Sequence, residues 1–215
     1  MTRPLVVVGC GGYGREVLDV VHAVNDTLPA HDRWDLLGVV DDAPAEVNLK
    51  RLARLDVPFL GAVDELARLP RDASYVAGIG DPRARRTVVR RIDHLGMVGA
   101  QLVHPSATVG SDTELGEGVV VCAGVRVTTN VTLGRHVHLN QIVSVGHDST
   151  LDDFVMVNPL AAVSGDCHLA EAVLIGTCAA VLQGRRVGAE ATVGASACVV
   201  RDVPPRVVVK GVPAR

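Results

Sequence analysis

Aromatic side chains are almost missing from this chain: one Trp, two Tyr and two Phe make up 2% of 215 residues. The hydrophobic share of 48% therefore rests on Val, Ala, Leu and Ile, which suits narrow stacked layers better than one thick core. Long apolar runs are missing too. Nothing approaches the roughly eighteen residues that a membrane-spanning helix needs, and Leu5–Gly9 is too short, and lacks the cleavage pattern, for a signal peptide. There is no excess of one charge: a net −3 gives no reason to expect a nucleic acid or an anionic membrane as partner. Cysteine pairs are lacking as well. Cys10, Cys122, Cys167, Cys178 and Cys198 are odd in number and form no C-x-x-C, so buried reduced thiols in a cytoplasmic protein are expected.

A repeat fills the second half. From Val103 to Val199 every sixth residue is aliphatic, without a slip. Four positions after each comes a second series of small or β-branched residues, running from Ala107 to Val203, which only Arg185 breaks badly. A helix repeats at 3.6 and a flat strand at 2, so neither produces this pattern. A parallel β-helix of hexapeptides does, each six residues making one short strand and one corner. Arg185 takes an inward slot, so the coil around Gln183–Arg186 is expected to be opened or distorted.

Residues 1–100 read differently. Leu5–Val8 is an apolar strand leading into Gly9-Cys-Gly-Gly-Tyr-Gly14, followed by helical spacing over Arg15–Val24. Leu36–Val40 and Tyr75–Ile79 are further strands, ending at Asp41-Asp42 and Gly80-Asp81. Val63–Leu69 and Arg83–Leu95 read as helices. Strands alternating with helices imply a small parallel α/β sheet. Gly9, Gly11 and Gly14 satisfy G-x-G-x-x-G between strand and helix, a turn that offers a helix N-terminus to a phosphate. Asp41 and Asp42 stand about where a ribose or sugar hydroxyl would be held. A nucleotide-type ligand is expected. The alternative is a glycine turn that only packs strand on helix, and a full NAD site would need more than a hundred residues.

Taken together, Gly9-x-Gly-Gly-Tyr-Gly-Arg-Glu16, Val145-Gly-His-Asp148, Asn158-Pro159, Val163-Ser-Gly-Asp166 and Gly211-Val-Pro-Ala-Arg215 resemble a known family across essentially the whole chain. The chain is similar to the sialic acid O-acetyltransferase and bacillosamine N-acetyltransferase type of hexapeptide-repeat acyltransferase. That resemblance implies an α/β Rossmann-like small parallel sheet (1–100) followed by an all-β left-handed parallel β-helix (101–203) and a C-terminal tail (204–215). It also implies a homotrimer with acetyl-CoA bound between neighbouring β-helices. On this basis Gly11, Gly12, Tyr13, Asp41, Asp42 and Gly80 are expected to hold a nucleotide-sugar acceptor. Met156, Gly165, Thr177 and Ala195 are expected to line acetyl-CoA. Some family features are altered here: Met156 stands where a histidine is often found near the acetyl group, Gly146 replaces a frequent acidic residue, and Leu160 replaces a common glycine.

Three hexads make one triangular coil, so residues eighteen apart stack about 4.8 Å apart. His147 then lies between Thr129 and Gly165, two positions after the inward Val145 and hence pointing outwards. A neutral imidazole can take the proton an acceptor loses as it attacks a thioester. Asp148 is expected to fix its tautomer, and the Gly165 N–H to receive charge on the thioester oxygen. Asn140 and Asn158 fall at corners, where Asn tolerates left-handed backbone; for Asn140 a substrate-binding role stays open beside the structural one. Some hexapeptide β-helices resemble carbonic anhydrases with three histidines on a metal. Their H-x-x-x-x-H spacing is absent among His104, His136, His138, His147 and His168, so no metal is expected and His136 and His138 are read as surface residues. The sequence points to acetyl transfer onto the amine of a nucleotide-linked amino sugar. O-acetylation of sialic acid or another hydroxyl, and a non-catalytic trimeric nucleotide-sensing module, are the alternatives.

Overall fold

The computed structural model describes residues 3–215. The first hundred build a five-stranded parallel sheet from β1 (Arg3–Val8), β2 (Trp34–Val40), β3 (Phe59–Gly61), β4 (Ser74–Ala77) and β5 (Val98–Gly99), in the order β3-β2-β1-β4-β5. Helices α1 (Gly12–Thr27), α2 (Glu46–Ala53) and α3 (Pro82–Asp93) make the crossovers. Helix α1 turns Val17, Leu18, Val20 and Val21 into the core at helical spacing. At the start of α3, Asp81 accepts hydrogen bonds from the N–H groups of Arg83 (3.0 Å) and Ala84 (2.8 Å), with Pro82 at the first helical position. Sequence reading missed α2 and β3: α2 buries only Leu52, so it carries no apolar stripe. The segment expected as a helix at Val63–Leu69 is 3₁₀ over Val63–Arg68.

From Leu102 onward the chain winds as the expected left-handed β-helix, with three parallel faces. Face 1 has six strands and includes Ser144–Val145; face 2 has five and includes Thr150–Leu151; face 3 has seven and includes His138–Leu139. Partners lie eighteen residues apart, as in Val127↔Val145↔Val163↔Val181. The inward aliphatic residues from Val121 to Val199 are at most 3% exposed. In the first coil, which has a neighbour on one side only, Val109 reaches 38%. From Asp112 to Ser196 one residue per corner takes positive φ, including Asn130 (53°), His136 (52°), Ile142 (60°), Asp148 (60°) and Leu160 (63°). Asn140 and Asn158 do not hold the left-handed positions, which fall two residues later at Ile142 and Leu160.

Arg185 does not open its coil. Its carbonyl accepts from the His168 N–H, Arg186 pairs with His168 in register, and the half-exposed guanidinium reaches outwards to 3.8 Å from Asp202. The break comes later, after Val199. Val203 bridges to Val187, and Val209 pairs with Val193. Both offsets are two short of a full coil, so Val203 sits in a strand position and not in the second series. The expected tail 204–215 thus adds a strand, Val208–Val209, to face 3.

Face 3 is covered by the α/β part. Its outward residues Leu102 and Val120 join the cluster of Leu18, Val21 and Val76, while Phe154 and Ala172, on the corner beside it, pack with Val6, Val89 and Ile92. His136 and His138 are therefore buried, both at 0% exposure, and not on the surface. His138 lies against Tyr13 (ring centroids 5.5 Å), both ring nitrogens without a partner among the described residues; His136 stacks on Phe154 and meets the Tyr75 hydroxyl at 3.2 Å. Burial pushes the His136 imidazole down to about 4 and holds His138 well below the usual imidazole range. Arg85, also at 0% exposure, donates to the carbonyls of Ile79 (2.7 Å) and Phe154 (2.8 Å), tying the two parts together. Desolvation lowers its guanidinium to about 10. Of the cysteines, Cys10, Cys122 and Cys167 are buried as expected; Cys178 is exposed at a corner. Among the described residues no helix is long and apolar enough to cross a membrane.

Candidate active site

His147 stands at the corner between faces 1 and 2, with half its side chain exposed (52%). Its Nδ1 meets Asp148 Oδ2 at 2.6 Å, and Asp148 Oδ1 accepts from Asn130 Nδ2 at 2.7 Å. The Asn130 amide, and then His147, hold the Asp148 carboxyl below the usual carboxylate range. A carboxylate is acceptor-only, so in the neutral ring Nδ1 is the nitrogen that carries the proton and Nε2 the one with the lone pair. That nitrogen makes no hydrogen bond among the described residues. The imidazole lies over Gly165: a Cβ there would sit 2.6 Å from both Cε1 and Nε2. Any side chain there would push the ring from this position. The Gly165 carbonyl accepts from the Gly184 N–H.

A cavity of about 360 Å³ opens beside this pair on the face 2 side, lined by Asp148, Thr150, Asp166, His168 and Arg186 among others. At its wall His168 turns Nε2 to Asp152 Oδ2, 2.9 Å away. Sequence reading gave His168 no role and did not name Asn130. The eighteen-residue step does place Asn130 directly beneath Asp148.

A second cavity, about 250 Å³, lies at the carboxyl ends of β1, β2 and β4, where open α/β sheets bind ligands. Val8, Gly9, Asp41, Asp42, Val63 and Ile79 are among its walls. Asp41 accepts from the N–H groups of Cys10 and Ala43, both at 2.9 Å. Asp42 accepts from the Val63 N–H (3.0 Å) and pairs with Arg91, which holds its carboxyl low. Both aspartates thus brace the turn as well as facing the cavity. Gly14 packs so tightly on the Gly9 carbonyl that no side chain fits, whereas a Cβ at Gly11 or Gly12 would meet nothing within 4 Å. Fold packing accounts for Gly14 but leaves the two glycines at the helix start unexplained. Gly80 lies beside Tyr13, whose hydroxyl is buried at the face 3 interface and not in the cavity.

The residues expected around acetyl-CoA are not gathered at His147 within one chain. Thr177 and Ala195 stack, exposed, at the corner between faces 3 and 1; Asn140, at the start of the same edge, is buried (5% exposed) and accepts from the Gln141 N–H at 2.8 Å. Met156 is buried (2% exposed) in face 3, between His138 and Leu174, beneath the α/β part. Of the four, only Gly165 touches the histidine.

Comparison with known proteins places this arrangement. Residues 4–92 match the PglD N-terminal domain. PerB from Caulobacter crescentus, solved with CoA and GDP-perosamine, is 31% identical over 99% of this chain and 96% of that one, with a TM-score of 0.85. The chain belongs to the same hexapeptide-repeat sugar acetyltransferase family. The acetyltransferase domain of PglB from Neisseria gonorrhoeae FA1090 superposes equally well, at TM-score 0.85 and 30% identity over 100% and 99% of the two chains. UDP-N-acetylbacillosamine N-acetyltransferase of Bacillus subtilis (strain 168) is 31% identical over 124 residues, 56% of this chain. That match spans about half the length of the Bacillus relative, 52%.

Proposed function

We propose that this protein transfers an acetyl group from acetyl-CoA to the amine of a nucleotide-linked amino sugar. The observation that carries the proposal is the exposed His147–Asp148 pair seated over Gly165. The acceptor amine gives its proton to His147 Nε2 as it attacks the thioester carbonyl. The tetrahedral oxyanion takes a hydrogen bond from the Gly165 N–H, and collapse expels the CoA thiolate, which recovers the proton from the imidazolium. Asp148 orients the ring and stabilises its charged form. The nucleotide part of the acceptor sits at the Gly11-Gly12 turn, with Asp41, Asp42 and Gly80 around it. Acetyl-CoA runs past Thr177 and Ala195, with Asn140 on the same edge. The family supports this assignment: the Caulobacter enzyme is also known with one histidine replaced by asparagine or alanine, in complex with CoA and GDP-perosamine.

The working unit is a homotrimer. The α/β part covers face 3, and His147 occupies the one corner that does not border that face. A chain cannot bring its own acceptor cavity to its own base, nor its own Thr177 edge. A neighbouring copy supplies both. Residues 1–100 hold the acceptor and 101–203 carry the transfer. Free cysteines suit the reducing cytoplasm.

Release of CoA thiol, measured with acetyl-CoA and a panel of UDP-, GDP- and dTDP-linked amino sugars, is the deciding experiment. At least one acceptor should release thiol, and His147→Ala should lower kcat by about a hundredfold or more. Near-normal turnover in His147→Ala would remove the base assignment; no release with any acceptor would remove the activity.

A further inference from the structure

We propose that Asn130 is a positioning residue for acetyl transfer, holding the Asp148 carboxylate so that His147 keeps one nitrogen turned to the acceptor; this rests on the base role given to His147 above. The side chains form one chain of contacts. Asn130 Nδ2 donates to Asp148 Oδ1 at 2.7 Å, and the other carboxylate oxygen, Oδ2, receives His147 Nδ1 at 2.6 Å. All three residues lie on one corner, with Asn130 a full coil below Asp148. The Asp148 N–H donates to the Thr129 carbonyl at 3.3 Å, so its backbone is tied to the same lower corner.

The need for such a residue follows from exposure. Half of the Asp148 side chain is in solvent (50%), and a single contact to an equally exposed imidazole leaves the carboxylate free to rotate towards water. A second donor, on the far oxygen, fixes the plane of the carboxylate. With that plane fixed, the Nδ1–H bond fixes the ring and points Nε2 outward. The Asn130 amide also favours the ionised carboxylate, which keeps Asp148 an acceptor.

Asn130 has positive φ (53°), a backbone reason of its own for Asn at that place. Two substitutions separate the roles. Asn130→Gly keeps the left-handed backbone without strain and removes only the amide. Asn130→Asp keeps the shape and turns a donor into an acceptor facing another carboxylate. Steady-state kinetics across pH, with thermal melting, should show kcat lowered about tenfold in Asn130→Gly, the worth of one hydrogen bond near 1.4 kcal/mol. Both KM values and the melting temperature should hold. Asn130→Asp should lose more and shift the acid limb of kcat/KM to higher pH, since an added carboxylate favours the protonated imidazole. In an Asp148→Ala background Asn130→Gly should cost nothing further, because it acts through that carboxylate.

Wild-type kcat and pH profile in Asn130→Gly would overturn the proposal. So would a loss that multiplies the Asp148→Ala loss, or one that comes with a lowered melting temperature and an unmoved profile. His147→Ala, measured alongside, keeps the two levels apart: an inactive His147→Ala beside an unaffected Asn130→Gly removes only the positioning role, and an active one removes the base.

Discussion

Acidification from pH 7 to pH 5 should loosen this protein through two histidines that lie outside the proposed catalytic site. His136 and His138 are wholly buried between face 3 and the α/β part. Around them stand Tyr13, Tyr75, Phe154 and Met156, with Arg85 and Arg135 as the nearby cations and Asp93 as an opposing charge. The His136 imidazole titrates at about 4 in the folded chain against 6.5 for the free side chain. The unfolded chain therefore binds the extra proton between those values, and stability falls as pH drops through 6.5 towards 4. For His136 alone the loss between pH 7 and pH 5 is about 2 kcal/mol. His138 is lowered by the same cause and adds in the same direction. The depressed carboxyls Asp42 and Glu190 lose their contribution only below their ordinary values of 3.8 and 4.5, so this window belongs to the histidines.

Urea unfolding at fixed protein concentration measures the effect directly. His136→Asn keeps a residue suited to φ 52° and removes the titration. His138→Leu puts an apolar side chain among Val120, Met156 and Tyr13 and removes two unpartnered ring nitrogens. That single change should raise stability at pH 7 by about 1 kcal/mol or more, the cost of a buried polar group without a partner. In the double variant the loss from pH 7 to pH 5 should shrink by at least about 2 kcal/mol. A wild-type protein whose stability is flat over that range, or a double variant that keeps the full slope, would refute the reasoning.

Asp148→Ala should reduce kcat less than His147→Ala, because the carboxylate orients the imidazole without taking the proton; pre-steady-state thiol release separates them from binding effects. Gly14→Ala should destabilise the fold by about 1–3 kcal/mol, since its Cβ would strike the Gly9 carbonyl, whereas Gly12→Ala should leave the melting temperature unchanged and raise the acceptor KM. Inactive Gly12→Val and inactive His147→Ala proteins, mixed under conditions of subunit exchange, should regain activity. Persistent inactivity in mixed trimers confirmed by mass would show that base and acceptor site come from one chain.

The β-helix was legible because its six-residue period matches no other regular structure, and the eighteen-residue stack placed Gly165 against His147 before any coordinates. Which face lies under the α/β part is also written in the outward residues, though the inward ones draw attention first. Face 3 presents Leu102, Val120, His138, Met156 and Leu174, while face 2 presents Glu114, Thr132, Thr150, His168 and Arg186. Reading outward as exposed misassigned His136 and His138 for this reason. Arg185 was misread for the opposite one: an inward slot near the end of the stack lets a long side chain escape sideways to Asp202. The α2 helix left no apolar period to find, because one buried leucine is enough to anchor it.

Corner geometry explains how the proposed catalytic pair, His147 and Asp148, arises on such a repeat at little cost to folding. The left-handed position recurs every six residues from Asp112 to Ser196, and for most side chains that conformation is unfavourable, least so for Gly, Asn and Asp. At the corner between faces 1 and 2 these positions hold Asp112, Asn130, Asp148, Asp166 and Gly184. A carboxylate at 148 is thus what the backbone prefers there, and an amide at 130 likewise. Other corners accept worse residues, such as Ile142 and Leu160, so the preference is not absolute. The fold supplies the orienting carboxylate and its holder as ordinary corner residues. Chemistry requires only two additions to that ladder: an imidazole at the exposed position before Asp148, and a glycine one coil along to make room for it.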